Sequence, residues 1–248
     1  DVTDSGMDCN GWTARPWPYE EKYHPTNWVA SRTIDFLRRR DPRQPFFLMA
    51  SFVRPHAPYD APQCYFDLYK DKPLRPPVHG DWDDTELLEK RGMVFNSCTG
   101  PRDPELIRQQ QIGYYACITH VDHQIGRILQ ALIEHRLLDN TVIVFTSDHG
   151  EMLSDHGWCR KSLPYNGSAH IPMFISGPER FIGPRGRVED SLVELRDVMP
   201  TLLDLAGAPI PAHLDGKSML HPIDREYLHG EHTFSFNHWS RQFMVTKK

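Results

Sequence analysis

The residues best suited to chemistry lie in three short segments, each next to a run of apolar residues. The segment TSDHGEMLSDHG presents Asp148 and His149 directly after the β-branched run TVIVFTS. A carboxylate and an imidazole fixed at the end of a strand are natural ligands for a divalent metal, and Gly150 allows a sharp turn after them. Taken alone, the pair fits an ordinary turn equally well. The repeated dipeptide Asp155-His156 lies on a predicted loop and favours a structural role.

The second segment, SFVRPHAPY, places His56 after the apolar run PFFLMASF and between Pro55 and Pro58. Because proline restricts its own backbone and that of the preceding residue, the two prolines would hold the imidazole in place. An imidazole held there could donate to an anionic ester or to its leaving oxygen. Arg54 could pair with an anionic substrate. A packed loop histidine and an exposed arginine would give the same pattern.

The third segment, CRKSLPYNGSAHIPM, contains Lys161. A single lysine is ordinarily a solvated surface residue. Lys161 becomes a candidate for binding a substrate anion because it follows Asp148 and precedes the next predicted strand.

The hydrophobic pattern predicts the elements that would position these residues. Helical spacing is predicted over 26–40, 104–138 and 190–206, and strands over 45–52, 141–147 and 171–177, with two short strands near 226–228 and 242–246. This order of elements predicts an α/β fold with a largely buried sheet. In such sheets ligands collect at the carboxyl ends of the strands, which directs attention to the residues after Phe52 and Ser147.

The composition excludes several classes of protein. The chain has 248 residues, 39% of them hydrophobic, and a formal net charge of -5, so it can bury a core and gives no bulk reason to expect nucleic-acid binding. No apolar run reaches the roughly 18 residues that suggest a membrane span. The five cysteines include no Cys-x-x-Cys pair, which excludes a zinc ribbon. The absence of a glycine-rich phosphate loop disfavours a nucleotide-binding protein.

Taken together, the motifs resemble the sulfatase family of the alkaline-phosphatase-like superfamily. The resemblance covers roughly residues 22–232, and the matching pieces occur in order: PFFLMASFVRPHAPY, YYACITHVDHQIGRIL, LLDNTVIVFTSDHGEMLSDHGW, KSLPYNGSAHIPMFISGP and ELRDVMPTLLDLAGAPIPAHLDGKSML. It implies a mixed β-sheet sandwiched by helices, here truncated at both ends. Residues 1–224 would be the carboxyl-terminal portion of the catalytic α/β domain, and residues 225–248 the start of a carboxyl-terminal subdomain.

The resemblance also implies a role for each candidate residue. Asp148 and His149 match a pair of divalent-metal ligands, and the metal would be Ca²⁺. His56 matches a histidine that contacts the sulfate ester, and Lys161 matches a lysine that contacts a sulfate oxygen. Arg54 is a further candidate for substrate binding. The implied substrate is a small-molecule or glycan sulfate ester, and sulfuryl transfer is similar to phosphoryl transfer in its need to stabilise oxygen charge.

Two parts of the family pattern are missing from this sequence. The nucleophile of the family is a formylglycine made from a cysteine or serine in a Cys/Ser-x-Pro-x-Arg motif, and no such motif occurs here. The run at 98–102, CTGPR, has one residue too many before its proline, and it follows the His56 segment. A first pair of metal-binding aspartates is also missing, because Asp83-Asp84 does not follow an apolar strand. The nucleophile is therefore expected upstream of this chain, and the chain alone is expected to be inactive.

Other functions remain open at this point. A phosphodiester or phosphonate monoester hydrolase of the same superfamily would use similar residues, and a non-catalytic pseudoenzyme fragment would share the fold. His149 is an unusual ligand for calcium, which keeps zinc or manganese under consideration. The family resemblance favours a periplasmic, extracellular or lysosomal location.

Overall fold

The computed structural model describes residues 4–84, 86, 90, 97–233 and 240–246. In these residues the α-helices are α1 Pro25–Arg39, α2 Gln63–Asp67, α3 Pro104–Glu134, α4 Asn166–Ala169, α5 Glu179–Ile182 and α6 Val198–Leu205. The strands are β1 Ser97–Thr99, β2 Ile143–Thr146, β3 Trp158–Arg160, β4 Met173–Ser176, β5 Tyr227–Thr233 and β6 Ser240–Thr246. Short 3-10 helices span Glu21–Tyr23, Leu138–Asn140, Asp155–Gly157 and Leu195–Asp197.

The chain divides into two compact units. The first comprises Asp1–Leu138 with Glu151–Lys161, and the second comprises Asp139–Gly150 with Ser162–Lys248. The domain boundary expected between residues 224 and 225 stays a prediction. None of the helices in the described ranges is long and apolar enough to cross a membrane.

The first unit is built on the long helix α3. Its start is set by Asp103, whose carboxylate accepts hydrogen bonds from the first-turn backbone, and by Pro104 at the first helical position. The helix packs against α1 and α2. Tyr59, Tyr65 and Cys117 form the centre of a buried cluster there. The predictions of helices over 104–138 and 26–40 are confirmed.

The predicted strand over 45–52 is wrong. This segment has no regular secondary structure, and Phe47 and Met49 are 73% and 77% exposed. Its partly buried residues, including Phe46 and Leu48, alternate with exposed ones as in a strand. A strand, however, also needs a neighbour for its backbone groups, and no described strand pairs with this segment. Hydrophobic patterning alone therefore misidentified it.

The second unit contains the strands expected near the metal candidates. β2 and β4 pair antiparallel, with Ile143 opposite Ser176 and Phe145 opposite Phe174, whose rings stack at 4.7 Å. They confirm the two strands predicted over 141–147 and 171–177. β5 and β6 form a second antiparallel pair and extend further than predicted. The helix expected over 190–206 is a 3-10 turn followed by α6.

A buried carboxylate organises the end of the second unit. Asp197 is fully buried and accepts hydrogen bonds from both terminal nitrogens of Arg225, at 2.8 and 2.9 Å. It also accepts from the backbone N–H groups of Lys217 and Glu194. Burial alone would raise the pKa of Asp197, but the hydrogen bonds from Arg225 and the two backbone groups outweigh it and lower the pKa below its ordinary value.

Asp197→Asn should destabilise the protein by about 3 kcal/mol, because it removes the fully buried carboxylate of the pair and leaves Arg225 only its longer ionic contact with Glu194, at 3.4 Å. The pH dependence should change as well. A lowered folded-state pKa means that this carboxylate stabilises the fold above its unfolded value of 3.8 and that the contribution is lost as pH falls. Denaturant unfolding at several pH values should show a smaller loss of stability on acidification in the variant. The exposed Asp215→Asn is the control, and equal stability of the two variants would contradict the prediction.

Candidate active site

Two of the predicted site residues, both in the first unit, lie in direct contact. The Nζ atom of Lys161 is 2.9 Å from the Nε2 atom of His56. The other ring nitrogen of His56, Nδ1, lies 2.9 Å from the carbonyl oxygen of Ala57 and must carry a proton to donate to it. Nε2 of the neutral ring then accepts a hydrogen bond from the Lys161 ammonium group. The two side chains are both partly exposed, so they can meet a ligand.

His56 is held by the buried chain that follows it. Ala57, Tyr59 and Ala61 are at most 4% exposed and belong to the core beside α3. The backbone N–H of His56 also donates to the carbonyl of Val53, closing a turn. The imidazole therefore stands at the point where a turn enters the core, which limits its movement.

Lys161 is held by an unusual backbone. Its neighbours Arg160 and Ser162 both have left-handed φ angles, 73° and 75°, which non-glycine residues rarely adopt. Arg160 ends β3, which pairs antiparallel with β1. Strained backbone of this kind persists only where the surroundings enforce it, and it is common at functional sites.

Arg54 is buried and paired with a carboxylate, whereas a residue that contacts substrate is expected to be accessible. It is 2% exposed, and its Nε and Nη2 atoms donate to the two carboxylate oxygens of Asp60 at 2.5 and 2.7 Å. Asp60 is fully buried and also lies 3.3 Å from Nε2 of His24. Burial would raise the pKa of Asp60, but the hydrogen bonds from His24 and Arg54 lower it below its ordinary value. The contact of Arg54 with substrate stays a prediction.

The two metal candidates lie after β2 in the second unit. His149 Nδ1 is 2.8 Å from the carbonyl oxygen of Gly150, so the proton sits on Nδ1 and Nε2 presents a lone pair. Gly150 is required here, because an added Cβ would lie 2.1 Å from the carbonyl oxygen of Gly167. Asp148 is exposed, and its Oδ2 lies 3.6 Å from Nε2 of His149.

This arrangement fits part of a cation site. Two ligands at about 2.3–2.6 Å from Ca²⁺ and at right angles to each other are about 3.2–3.7 Å apart. The 3.6 Å separation of Asp148 Oδ2 and His149 Nε2 falls in that range. In the ranges that the structure describes, no group of three or more His, Cys, Asp and Glu side chains could hold a metal. The pair would supply two ligands, and the rest would have to come from elsewhere.

The remaining sequence candidates have structural contacts. Asp83 lies 3.1 Å from Nδ1 of His156, and Asp155 accepts from the backbone of Val78. Cys98 stands opposite Cys159 in the β1–β3 pair. Burial raises the pKa of the Cys98 thiol, which makes it a poor source of thiolate.

Sequence reasoning missed Glu151, which is part of the same segment as Asp148 and His149. Its Oε1 atom accepts hydrogen bonds from the backbone N–H groups of Arg160 and Leu153, at 2.5 and 3.1 Å. Burial raises its pKa, and these hydrogen bonds and the charge of Lys161 oppose that rise. Its place immediately after the Asp-His-Gly run could have drawn attention to it.

Comparison with known proteins defines the class. The model of the sulfatase family matches residues 5–208, so the chain belongs to the sulfatase family. Its fold is of the alkaline-phosphatase-like type, as predicted. A phosphonate monoester hydrolase of Agrobacterium radiobacter is similar in structure, with a TM-score of 0.76 and 26% identity over 92% of this chain and 49% of that chain.

Two curated relatives extend the comparison. The chain is 51% identical to an arylsulfatase of Clostridium perfringens (strain 13 / Type A), covering 100% of this chain and 53% of the relative. It is 33% identical to the multifunctional alkaline phosphatase superfamily protein PehA of Trinickia caryophylli, covering 85% of this chain and 43% of the relative. The chain thus spans about half the length of the curated relatives that it matches.

Replacing Arg54 separates its structural contact from a role in substrate binding. Arg54→Ala should lower the free energy of unfolding by about 3–5 kcal/mol, because Asp60 is left buried without its charge partner. Arg54→Lys should recover only part of this loss, since lysine lacks the planar fork that meets both carboxylate oxygens. Denaturant unfolding checks both. If Arg54→Ala kept full stability and only raised KM, the substrate role would be favoured instead.

Proposed function

We propose that this chain is part of a sulfatase that hydrolyses sulfate monoesters of small molecules or glycans. His56 and Lys161 are the residues of this chain that meet the sulfate group. The observation that carries the proposal is the 2.9 Å contact between Lys161 Nζ and His56 Nε2. The two residues are far apart in sequence, and both side chains are partly exposed. Membership of the sulfatase family supports it.

The pair has the chemistry that an anionic ester requires. Lys161 carries N–H donors and a positive charge, and both favour the oxygens of a sulfate group as charge develops on them. In the pair as it stands, Nε2 of His56 accepts a hydrogen bond from the Lys161 ammonium group. When Nε2 takes up a proton from solvent instead, the imidazole becomes a donor for the leaving oxygen and Lys161 keeps its positive charge.

Asp148 and His149 would hold a divalent cation, for which Ca²⁺ is the first candidate. The carboxylate oxygen and the lone pair on Nε2 have a separation that fits one ion, as described above. When bound, such a cation stabilises negative charge on an oxygen that it contacts. An Asp ligand suits Ca²⁺, whereas the imidazole also suits Zn²⁺ and Mn²⁺.

The nucleophile in this proposal is a formylglycine that precedes Asp1 in the whole protein. The Cys/Ser-x-Pro-x-Arg motif does not occur in this sequence, and the chain covers only 53% of its arylsulfatase relative. The chain alone would then bind a sulfate ester without turning it over. A pseudoenzyme would lack the motif in the preceding residues as well.

A second candidate function is hydrolysis of phosphonate monoesters or phosphodiesters. The structural likeness to a phosphonate monoester hydrolase favours keeping it. Sulfate and phosphonate groups place similar oxygens around the central atom, so the same lysine and histidine would serve both.

The test compares initial rates on matched aryl sulfate, aryl phosphodiester and aryl phosphonate substrates, using the full product of the gene that encodes this chain. We expect the sulfate to be preferred and chelation to remove the activity. Lys161→Ala should lower kcat by about 10²–10³-fold, the typical effect of removing one donor to developing oxygen charge. A preference for the phosphorus esters would move the assignment to the second candidate, and an unchanged rate in Lys161→Ala would contradict the proposed site.

The metal ligands are tested by a separate measurement. Asp148→Ala should weaken Ca²⁺ binding in calorimetric titration at least tenfold, since one anionic ligand is lost. Glu189→Ala, which removes an exposed carboxylate of the same unit, is the control. Unchanged Ca²⁺ affinity in Asp148→Ala would show that the cation binds elsewhere or that none is required.

A further inference from the structure

The segment that ends at Lys161 is closed by backbone hydrogen bonds and by one carboxylate. Residues 151–160 fold back on themselves, because Met152 N–H donates to the carbonyl of Arg160 at 2.8 Å and Ser154 N–H donates to that of Trp158 at 2.9 Å. At the open end of this loop, one oxygen of Glu151 accepts the backbone N–H groups of both Arg160 and Leu153. Glu151 therefore joins the first turn of the loop to its last residue.

The hydrogen bond to Arg160 acts at a strained position. The φ angle of 73° at Arg160 is unfavourable for a residue with a side chain, and the chain would relax from it if nothing held it. Glu151 holds the N–H group of Arg160, and the backbone N–H of Met152 holds its carbonyl group, so the residue is anchored on both sides of its φ and ψ angles. Both hydrogen bonds must break before this backbone relaxes, so they favour the left-handed state.

The position of Lys161 follows from the backbone of Arg160. Because Lys161 is the next residue, a change of φ or ψ at Arg160 rotates the Lys161 side chain as a whole. Its Nζ atom, now 2.9 Å from His56 Nε2, must stay within hydrogen-bond distance for the pair to form. A long, flexible lysine is otherwise costly to hold in one geometry.

We propose that Glu151 is a positioning residue that holds Lys161 against His56 by fixing the left-handed backbone of Arg160. Glu151 does not itself touch the substrate in this proposal. The inference rests on the proposed function for its effect on turnover, but its structural part, the Lys161–His56 contact, is independent of that function.

Three substitutions separate hydrogen bonding, charge and reach. Glu151→Gln keeps an oxygen that accepts both N–H groups and loses the charge, so the Lys161–His56 contact should remain and kcat should fall less than about tenfold. Glu151→Asp keeps the charge, but its carboxylate is one carbon shorter. Glu151→Ala loses both. We expect Glu151→Asp and Glu151→Ala to lower kcat by about 10²-fold, with little change in KM. This is the size of effect that a misplacement of about 1 Å produces. Glu20→Ala, an exposed glutamate of the same unit, is the control.

A double-mutant cycle with Lys161→Ala distinguishes positioning from general stability. If Glu151 acts through Lys161, then Glu151→Ala should lower kcat less than about threefold in a Lys161→Ala background. The same 10²-fold loss in both backgrounds would overturn the inference, because the effect would then not pass through Lys161. Full kcat in Glu151→Ala would also overturn it.

Crystal structures of the full-length variants give the second readout, which needs no activity. The distance from Lys161 Nζ to His56 Nε2 should stay near its present value in Glu151→Gln and be lost in Glu151→Asp. If Glu151→Ala does not fold, the Asp and Gln variants still make this comparison. A retained contact in Glu151→Asp with φ of Arg160 unchanged would overturn the inference. An unchanged rate in Lys161→Ala would count against the proposed function alone, and the distances would still decide the role of Glu151.

Discussion

The buried ion pair between Arg54 and Asp60 is the constraint on which the first unit depends. These two residues bracket His56, and both are almost completely withdrawn from solvent. Removing two charges from water is unfavourable unless they are well paired, and here the bidentate geometry and the nearby His24 satisfy the carboxylate. The pair therefore admits few alternative conformations of the segment that carries His56. The candidate residue His56 thus gains its fixed position from the buried residues on either side of it in the chain.

A second constraint acts from the other end of the candidate site. Lys161 follows a loop whose closure depends on Glu151 and on hydrogen bonds between its two arms. Here rigidity comes from backbone hydrogen bonds and strained φ angles, whereas His56 is held by burial. Both residues of the pair are thus restrained before any substrate arrives. Restraint of this kind lowers the entropy that binding and reaction would otherwise lose.

Sequence patterns predicted the elements best where local rules are strong. The helix over Pro104–Glu134 has an Asp cap, a proline at its first position and sustained helical spacing, and each of these acts within a few residues. The run TVIVFTS likewise predicted β2. The strand predicted over residues 45–52 is wrong because a strand also requires a paired neighbour, and the local sequence does not supply one.

By itself the sequence determined the type of chemistry available: an Asp-His pair after a strand, a histidine between prolines, and the motifs that resemble the sulfatase family. Only the tertiary structure decided that His56 and Lys161 are in contact and that Arg54 forms a buried ion pair with Asp60. It alone also showed that Glu151 accepts a hydrogen bond from the backbone of Arg160. These are contacts between side chains and backbone groups brought together by folding. Their geometry depends on burial and on backbone angles such as φ of Arg160, which no pattern of residue types encodes locally.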